Sequence, residues 1–400
     1  MKKISPMRMV FIIGYYSIVA NFAHPIEPTI YTSLGFHDYM FGVAFACMAL
    51  TNFAFSPFWS KMCDKYGCAK MMGYSSFAYA GAQLLFTYCT SEIGIALVRL
   101  LAGVFISTIS VGQLIYIMQH SPREKAGQNL MYNATASAVM SPVGYLIGGF
   151  LGDVSIKLCM WAQVIGLLVL GLMYLLLLKD EVKESAEGAA SIWRDVNPLK
   201  SFGEIRPYMN RFLVVFFLLS AVTMFASTCY EQSFNYLIKA EFGFPASYNG
   251  MLKALVGVIA LIANFTICNW LLHHTDAKCS TIYVLGVQTI ISVGVALITD
   301  LVPFIIINVF FFGLNAVYLP LLQVTLTEAS DETSNSIFVG MFNAVRSIGM
   351  IAGSLIAGFL YAFSYQLPFV LTAVLFAVSV ALAVVNYRQS QKGKVSAAAN

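Results

Sequence analysis

The stretch Ser137-Ala-Val-Met-Ser141-Pro142-Val-Gly144-Tyr-Leu-Ile-Gly148-Gly149-Phe-Leu-Gly152 decides the fold. It carries no charge, and Ser137, Ser141, Gly144, Gly148 and Gly152 recur at helical spacing. A helix built this way has a flat small-residue stripe, which lets a second helix approach closely inside a membrane. Pro142 removes one backbone hydrogen bond and can bend the helix. Generic helix packing accounts for such a stripe as well as a functional contact does.

Part of the stretch returns later in the chain. Leu146-Ile-Gly-Gly-Phe-Leu151 aligns with Leu355-Ile-Ala-Gly-Phe-Leu360, and Met131-Tyr-Asn-Ala134 with Met341-Phe-Asn-Ala344. Gly103 and Gln113 fall on Gly313 and Gln323, and Asn52-Phe53 and Asp64 on Asn264-Phe265 and Asp276. The order is collinear, as expected of a parallel repeat of six helices plus six.

Composition agrees. Of 400 residues 59% are apolar and only 10% charged, the mean hydropathy is +0.76, and a soluble domain has about 25% charged residues. At roughly 20 residues per crossing the length accommodates about twelve spans and no sizeable soluble domain. Spans are expected near residues 8–32, 38–60, 70–90, 92–118, 128–151 and 156–178, and again near 210–238, 246–272, 280–299, 302–327, 335–362 and 366–388. The expected fold is therefore all-α integral membrane: a six-helix bundle over 1–178, a cytoplasmic linker over 179–209, a second bundle over 210–390 and a polar tail over 391–400. The bundles are expected to be pseudo-symmetric about a central cavity and to rock alternately.

Every second connection is basic, with Lys2, Lys3 and Arg8, then Lys61, Lys65 and Lys70, Arg123 and Lys125, the linker, Lys278, and finally Arg388, Lys392 and Lys394. This places both termini and the linker in the cytoplasm. Lys157 and Lys239 are exceptions, and the connection with Glu328, Asp331 and Glu332 is unexpectedly acidic. The basic start leads into the first span without the small-residue cleavage pattern of a signal peptide. The eight scattered cysteines have no zinc-ribbon or redox spacing and read as reduced thiols. No metal site, cofactor or nucleic-acid partner is expected.

The loop Ser60-Lys-Met-Cys-Asp64-Lys-Tyr-Gly67-Cys-Ala-Lys70 resembles the loop after span 2 of the major facilitator superfamily, Gly-x-x-x-Asp-x-x-Gly-Arg-Lys/Arg. Asp64, Gly67 and Lys70 match; Ser60 and Cys68 depart. An acid at a helix end can bind a neighbouring helix N-terminus or a base and hold a gate; the alternative is a plain solvated turn. Arg99, four residues before Gly103, looks like the family's second motif, Arg-x-x-x-Gly. An arginine inside a span costs about 2.5–3.5 kcal/mol on insertion scales, so it faces a partner, or else snorkels to the surface near Ser91 and Glu92. Pro142, Gly144, Gly148 and Gly149 are similar to the span 5 motif of drug:proton antiporters, with Ser141 where a Gly usually precedes the Pro.

Glu27 and Glu231 each lie in the first span of a half. With Arg99 they are the proton-coupling candidates, unless both sit wet and passive at the outer helix ends. Asn21, His24, Tyr230, Asn235, Asn343 and Arg346 are substrate-cavity candidates, and Pro25 and Pro28 are expected to interrupt span 1 beside His24 and Glu27. No Gly-x-x-x-x-Gly-Lys-Ser/Thr loop is present, so a gradient rather than ATP drives the cycle. The resemblance implies a monomeric secondary transporter in the cytoplasmic membrane, exporting small lipophilic or cationic compounds against protons. Proton-linked uptake of a nutrient is the alternative with the same fold. A membrane sensor or enzyme is the alternative of another class, and no nucleophile–base pair or metal cluster supports catalysis.

Overall fold

The computed structural model describes residues 6–121, 123–180, 197, 199–298, 300–329 and 335–399, and every regular element among them is helical. Lys2, Lys3, the charged linker from Glu181 to Arg194, Asp331 and Glu332 lie outside the described residues. The chain divides into two compact units. Unit 1 comprises Met1–Pro198 with Asn235–Gly257, and unit 2 Leu199–Phe234 with Val258–Asn400.

The first crossing is broken. Helix α1 (Pro6–Ala20) ends where Asn21 Nδ2 donates to the Ser17 carbonyl at 2.6 Å, and α2 (Glu27–Ser33) begins with Pro28 in its first turn. Proline suits that position because its missing N–H would have no helical partner there. Then follow α3 (Met40–Tyr66), α4 (Cys68–Tyr88), α5 (Glu92–His120), α6 (Arg123–Val154) and α7 (Ile156–Leu177). Ser91 and Ser155 cap α5 and α7, accepting from the Gly94 and Leu158 amides.

After the short α8 (Lys200–Glu204) come α9 (Arg211–Ala240), α10 (Ala246–Ala263), α11 (Asn269–His274), α12 (Ala277–Leu297), α13 (Leu301–Ala329), α14 (Asn335–Phe363) and α15 (Leu367–Ala399). A π-helical turn, Asn264–Cys268, joins α10 to α11. The residues expected to form a polar tail continue α15 to Ala399. Among the described residues, ten helices are long and apolar enough to cross a membrane. Helix α4 has the length, but Tyr74, Ser75, Ser76, Tyr79 and Gln83 dilute its apolar content.

The repeat appears as one packing contact made twice. In unit 1 a Cβ added at Gly144 or Gly148 would collide with the Ile18 or Phe22 carbonyl oxygen, so α6 lies backbone to backbone on the end of α1 and the turn that follows it. In unit 2 a Cβ at Gly349 would collide with the Ala221 carbonyl, and one at Gly353 would lie 2.5 Å from that of Phe225, so α14 lies on α9 in the same way. The alignment at the loop motif is corrected. Asp64 sits inside α3, before the positive-φ Gly67 (φ +96°) that precedes α4. Asp276 immediately precedes α12 and caps it, accepting from the Lys278 amide at 2.8 Å. Asp276 therefore occupies the position of Gly67, not of Asp64.

Candidate functional site

The break in the first crossing places Glu27 at the start of α2, facing α5. Arg99 Nη2 lies 2.6 Å from Glu27 Oε1, and Arg99 is only 3% exposed. The guanidinium also lies over the Phe86 ring, 4.1 Å from its centre, and near Met48 Sδ. Arg99 is thus paired inside unit 1 rather than snorkelling. His24 Nδ1 stands 3.6 Å from the same Glu27 oxygen, and its ring meets Tyr145 edge-on. Buried Tyr31 and Tyr79 line the pair, and Gln83 Nε2 donates to the Tyr79 hydroxyl at 3.0 Å. Lys253 on α10 lies over the other ring of this group, 4.9 Å from the Tyr145 centroid. Glu27 and Arg99 were legible singly from sequence; Tyr31, Tyr79 and Lys253 were not, since tyrosines are common in membrane helices and a lone lysine in an apolar run names no partner.

The segment Asn235–Gly257 completes this end of unit 1. Tyr236 Oη donates to Asp38 at 2.7 Å, Asn249 Nδ2 donates to the Pro25 carbonyl at 3.2 Å, and Asp153 accepts from the Ser247 amide at the start of α10. Gly149 lets that segment approach, since a Cβ there would meet the Ala246 carbonyl at 2.8 Å. Pro142 packs against Gly257, where a Cβ would collide with the proline ring. The small-residue motif therefore serves two contacts: Gly144 and Gly148 seat α1, while Pro142 and Gly149 seat α10. Nearby, Glu92 accepts from the His37 amide at 2.7 Å and from the Tyr39 hydroxyl at 2.9 Å, which raises the Tyr39 pKa.

At the opposite, basic-loop end, Asp64 accepts from Gln119 Nε2 of α5 at 3.0 Å. Its partner is a neutral amide, not the helix N-terminus or base that the motif led us to expect. The residue that holds a helix start is Asp180, which accepts from the Ala69 and Lys70 amides at 2.6 and 3.0 Å. A Cβ at Gly67 would collide with the Asp180 carboxylate, so the motif glycine makes room for a linker residue. Lys70 itself is exposed.

In unit 2 the expectation for Tyr230 is corrected. The residue is fully buried, its hydroxyl donates to Asn308 Oδ1 at 2.6 Å, and its ring stacks on Phe311 at 3.5 Å within a cluster including Phe312 and Phe369. It belongs to the aromatic core of unit 2 rather than to an open cavity wall. Asn21 is half-buried and its Nδ2 is held by its own helix end. Glu231 and Asn235 are half-buried on α9. Ser227 Oγ and Gln288 Nε2 both donate to Asn315 at 2.9 Å. Asn343 is exposed on α14, and Arg346, one turn on, directs Nη2 to Met224 Sδ at 3.4 Å.

Long apolar helices, a helix pairing made twice and an ion pair beside a broken crossing suit a membrane transporter. The chain belongs to the Major Facilitator Superfamily, which it matches over residues 9–316. It is 20% identical over 368 residues to multidrug resistance protein 2 of Bacillus subtilis (strain 168), covering 90% of each chain. To multidrug resistance protein 1 of the same organism it is 23% identical, covering 84% of each. Among solved structures it resembles a bacterial homologue of the human lysosomal transporter Spinster, with TM-score 0.76, 11% identity and 96% of each chain covered. It is a multi-pass membrane protein that carries small molecules.

Proposed function

We propose that the chain is a monomeric, proton-coupled exporter of small lipophilic or cationic compounds in the cytoplasmic membrane, with both termini in the cytoplasm. The observation that carries the coupling is the 2.6 Å Glu27–Arg99 pair at the interruption of the first crossing, with His24 at 3.6 Å. A carboxylate that balances a buried guanidinium cannot take a proton without leaving that cation uncompensated. Protonation therefore favours a different arrangement of α2 and α5, and loss of the proton restores the present one. The two Bacillus multidrug resistance relatives support export as the direction.

The test uses acidified everted vesicles and a pH-sensitive dye. Adding a transported compound collapses the proton gradient with wild-type protein and fails to do so with Glu27→Gln. If Glu27→Gln moves cargo with unaltered pH dependence, Glu27 does not couple, and the role passes to Glu231.

A further inference from the structure

Arg346 poses a problem that Arg99 does not. It lies on α14 eleven residues after Asn335, about 16 Å along the axis at about 1.5 Å per residue. That is roughly half the thickness of a bilayer's hydrocarbon core. A cation at such depth costs about 2.5–3.5 kcal/mol on insertion scales and ordinarily faces an opposite charge. Arg99 has Glu27. Among the described residues Arg346 has no carboxylate partner. Its guanidinium rests on Met224 Sδ at 3.4 Å and over the Phe342 ring at 5.2 Å, and its buried Nε makes no hydrogen bond.

A second donor points to the same place. The Tyr318 hydroxyl, on α13, directs its proton to Met224 Sδ at 3.8 Å. Two strong donors from different helices thus converge on one thioether, which is a weak acceptor on a flexible side chain. A guanidinium presents five N–H groups in a fork that matches a carboxylate. Beside it Phe342 is buried and stacked on Phe216, and Asn343 presents an exposed amide.

We propose that Arg346 and Tyr318 form an anion-binding point in unit 2 that receives the carboxylate or sulfonate of an amphiphilic organic acid, Met224 holding the donors when no ligand is bound. The depth of Arg346 separates this point from lipid phosphates. The proposal rests on the transporter function above and assigns its cargo to the lipophilic rather than the cationic class.

The test is binding of pyrenebutyrate, an aromatic carboxylate, to purified protein in uncharged detergent, followed by fluorescence and by thermal stability, with tetraphenylphosphonium as the cationic counterpart. Wild type binds pyrenebutyrate saturably and gains thermal stability from it. Arg346→Gln weakens binding at least tenfold, Arg346→Lys, which keeps the charge and loses the fork, weakens it less than Gln does, and Met224→Leu, which frees both donors, binds at least as tightly as wild type. Without ligand, Arg346→Met is at least as heat-stable as wild type, because an uncompensated charge has been removed. A purely structural arginine gives the opposite result. Equal binding by wild type and Arg346→Gln, binding of tetraphenylphosphonium alone, or no binding by wild type overturns the proposal. Arg346-dependent binding without collapse of a proton gradient in vesicles upholds the site and defeats proton-coupled export instead.

Discussion

A carboxylate and a guanidinium 2.6 Å apart, with the arginine 3% exposed, depend on each other more than on their surroundings. Breaking a buried pair by removing one partner costs about 3–5 kcal/mol, whereas replacing both by apolar groups of similar size is often neutral. Arg99→Met is accordingly expected to lower the thermal midpoint in detergent by several degrees, and Glu27→Leu/Arg99→Met to recover most of it. Equal midpoints for wild type and Arg99→Met would show that the pair contributes nothing. The individual charges were readable because charged residues are scarce in apolar runs. Their pairing was not, because nothing local to either residue names a partner on a distant helix. Asp180 was hidden for a related reason, being one of several linker acids whose cap on α4 depends on how the chain turns after α7. Gly67→Ala combines a φ of +96° with a collision against Asp180. It should cost about 1–3 kcal/mol, and Asp180→Ala added to it should cost little more, as a double-mutant cycle of thermal stability would show.

Between helices, the deciding quantity is how closely backbones approach. Gly148 has the Phe22 carbonyl where its Cβ would be, while Gly81 on α4 has nothing within 4 Å. Gly148→Ala is therefore expected to lower both transport and thermal stability. Gly81→Ala should be neutral or stabilising by up to about 1 kcal/mol through helix propensity. Similar losses at both positions would indicate that α6 does not depend on close contact with α1. Helix positions were largely legible, because apolar runs bounded by polar breaks locate a crossing to within a few residues. The π-helical turn at Asn264–Cys268 left no trace, since one extra residue in a turn changes neither hydropathy nor spacing enough to notice. Tyr230 shows a further limit: a tyrosine beside Glu231 suggests a polar lining, yet its ring finds Phe311, Phe312 and Phe369 and takes the hydroxyl inward to Asn308.

For the molecule as a whole, the alternation of basic connections predicts which ends face the cytoplasm. With the eight native cysteines replaced, Lys70→Cys should react with a membrane-impermeant maleimide only in everted vesicles, and Lys157→Cys only in intact cells. The reverse pattern would invert the topology, and labelling of both positions from one side would break the helix count. The membership of unit 1 bears on how the protein is made. Its seventh described helix ends at Leu177, but it also owns Asn235–Gly257, whose Tyr236, Ser247 and Asn249 bond to Asp38, Asp153 and Pro25. Those partners wait while the ribosome synthesises residues 199–234, which belong elsewhere. During that interval the growing chain exposes unmatched polar groups at one end of an unfinished bundle, a natural window for the insertion machinery or a chaperone to keep hold of it.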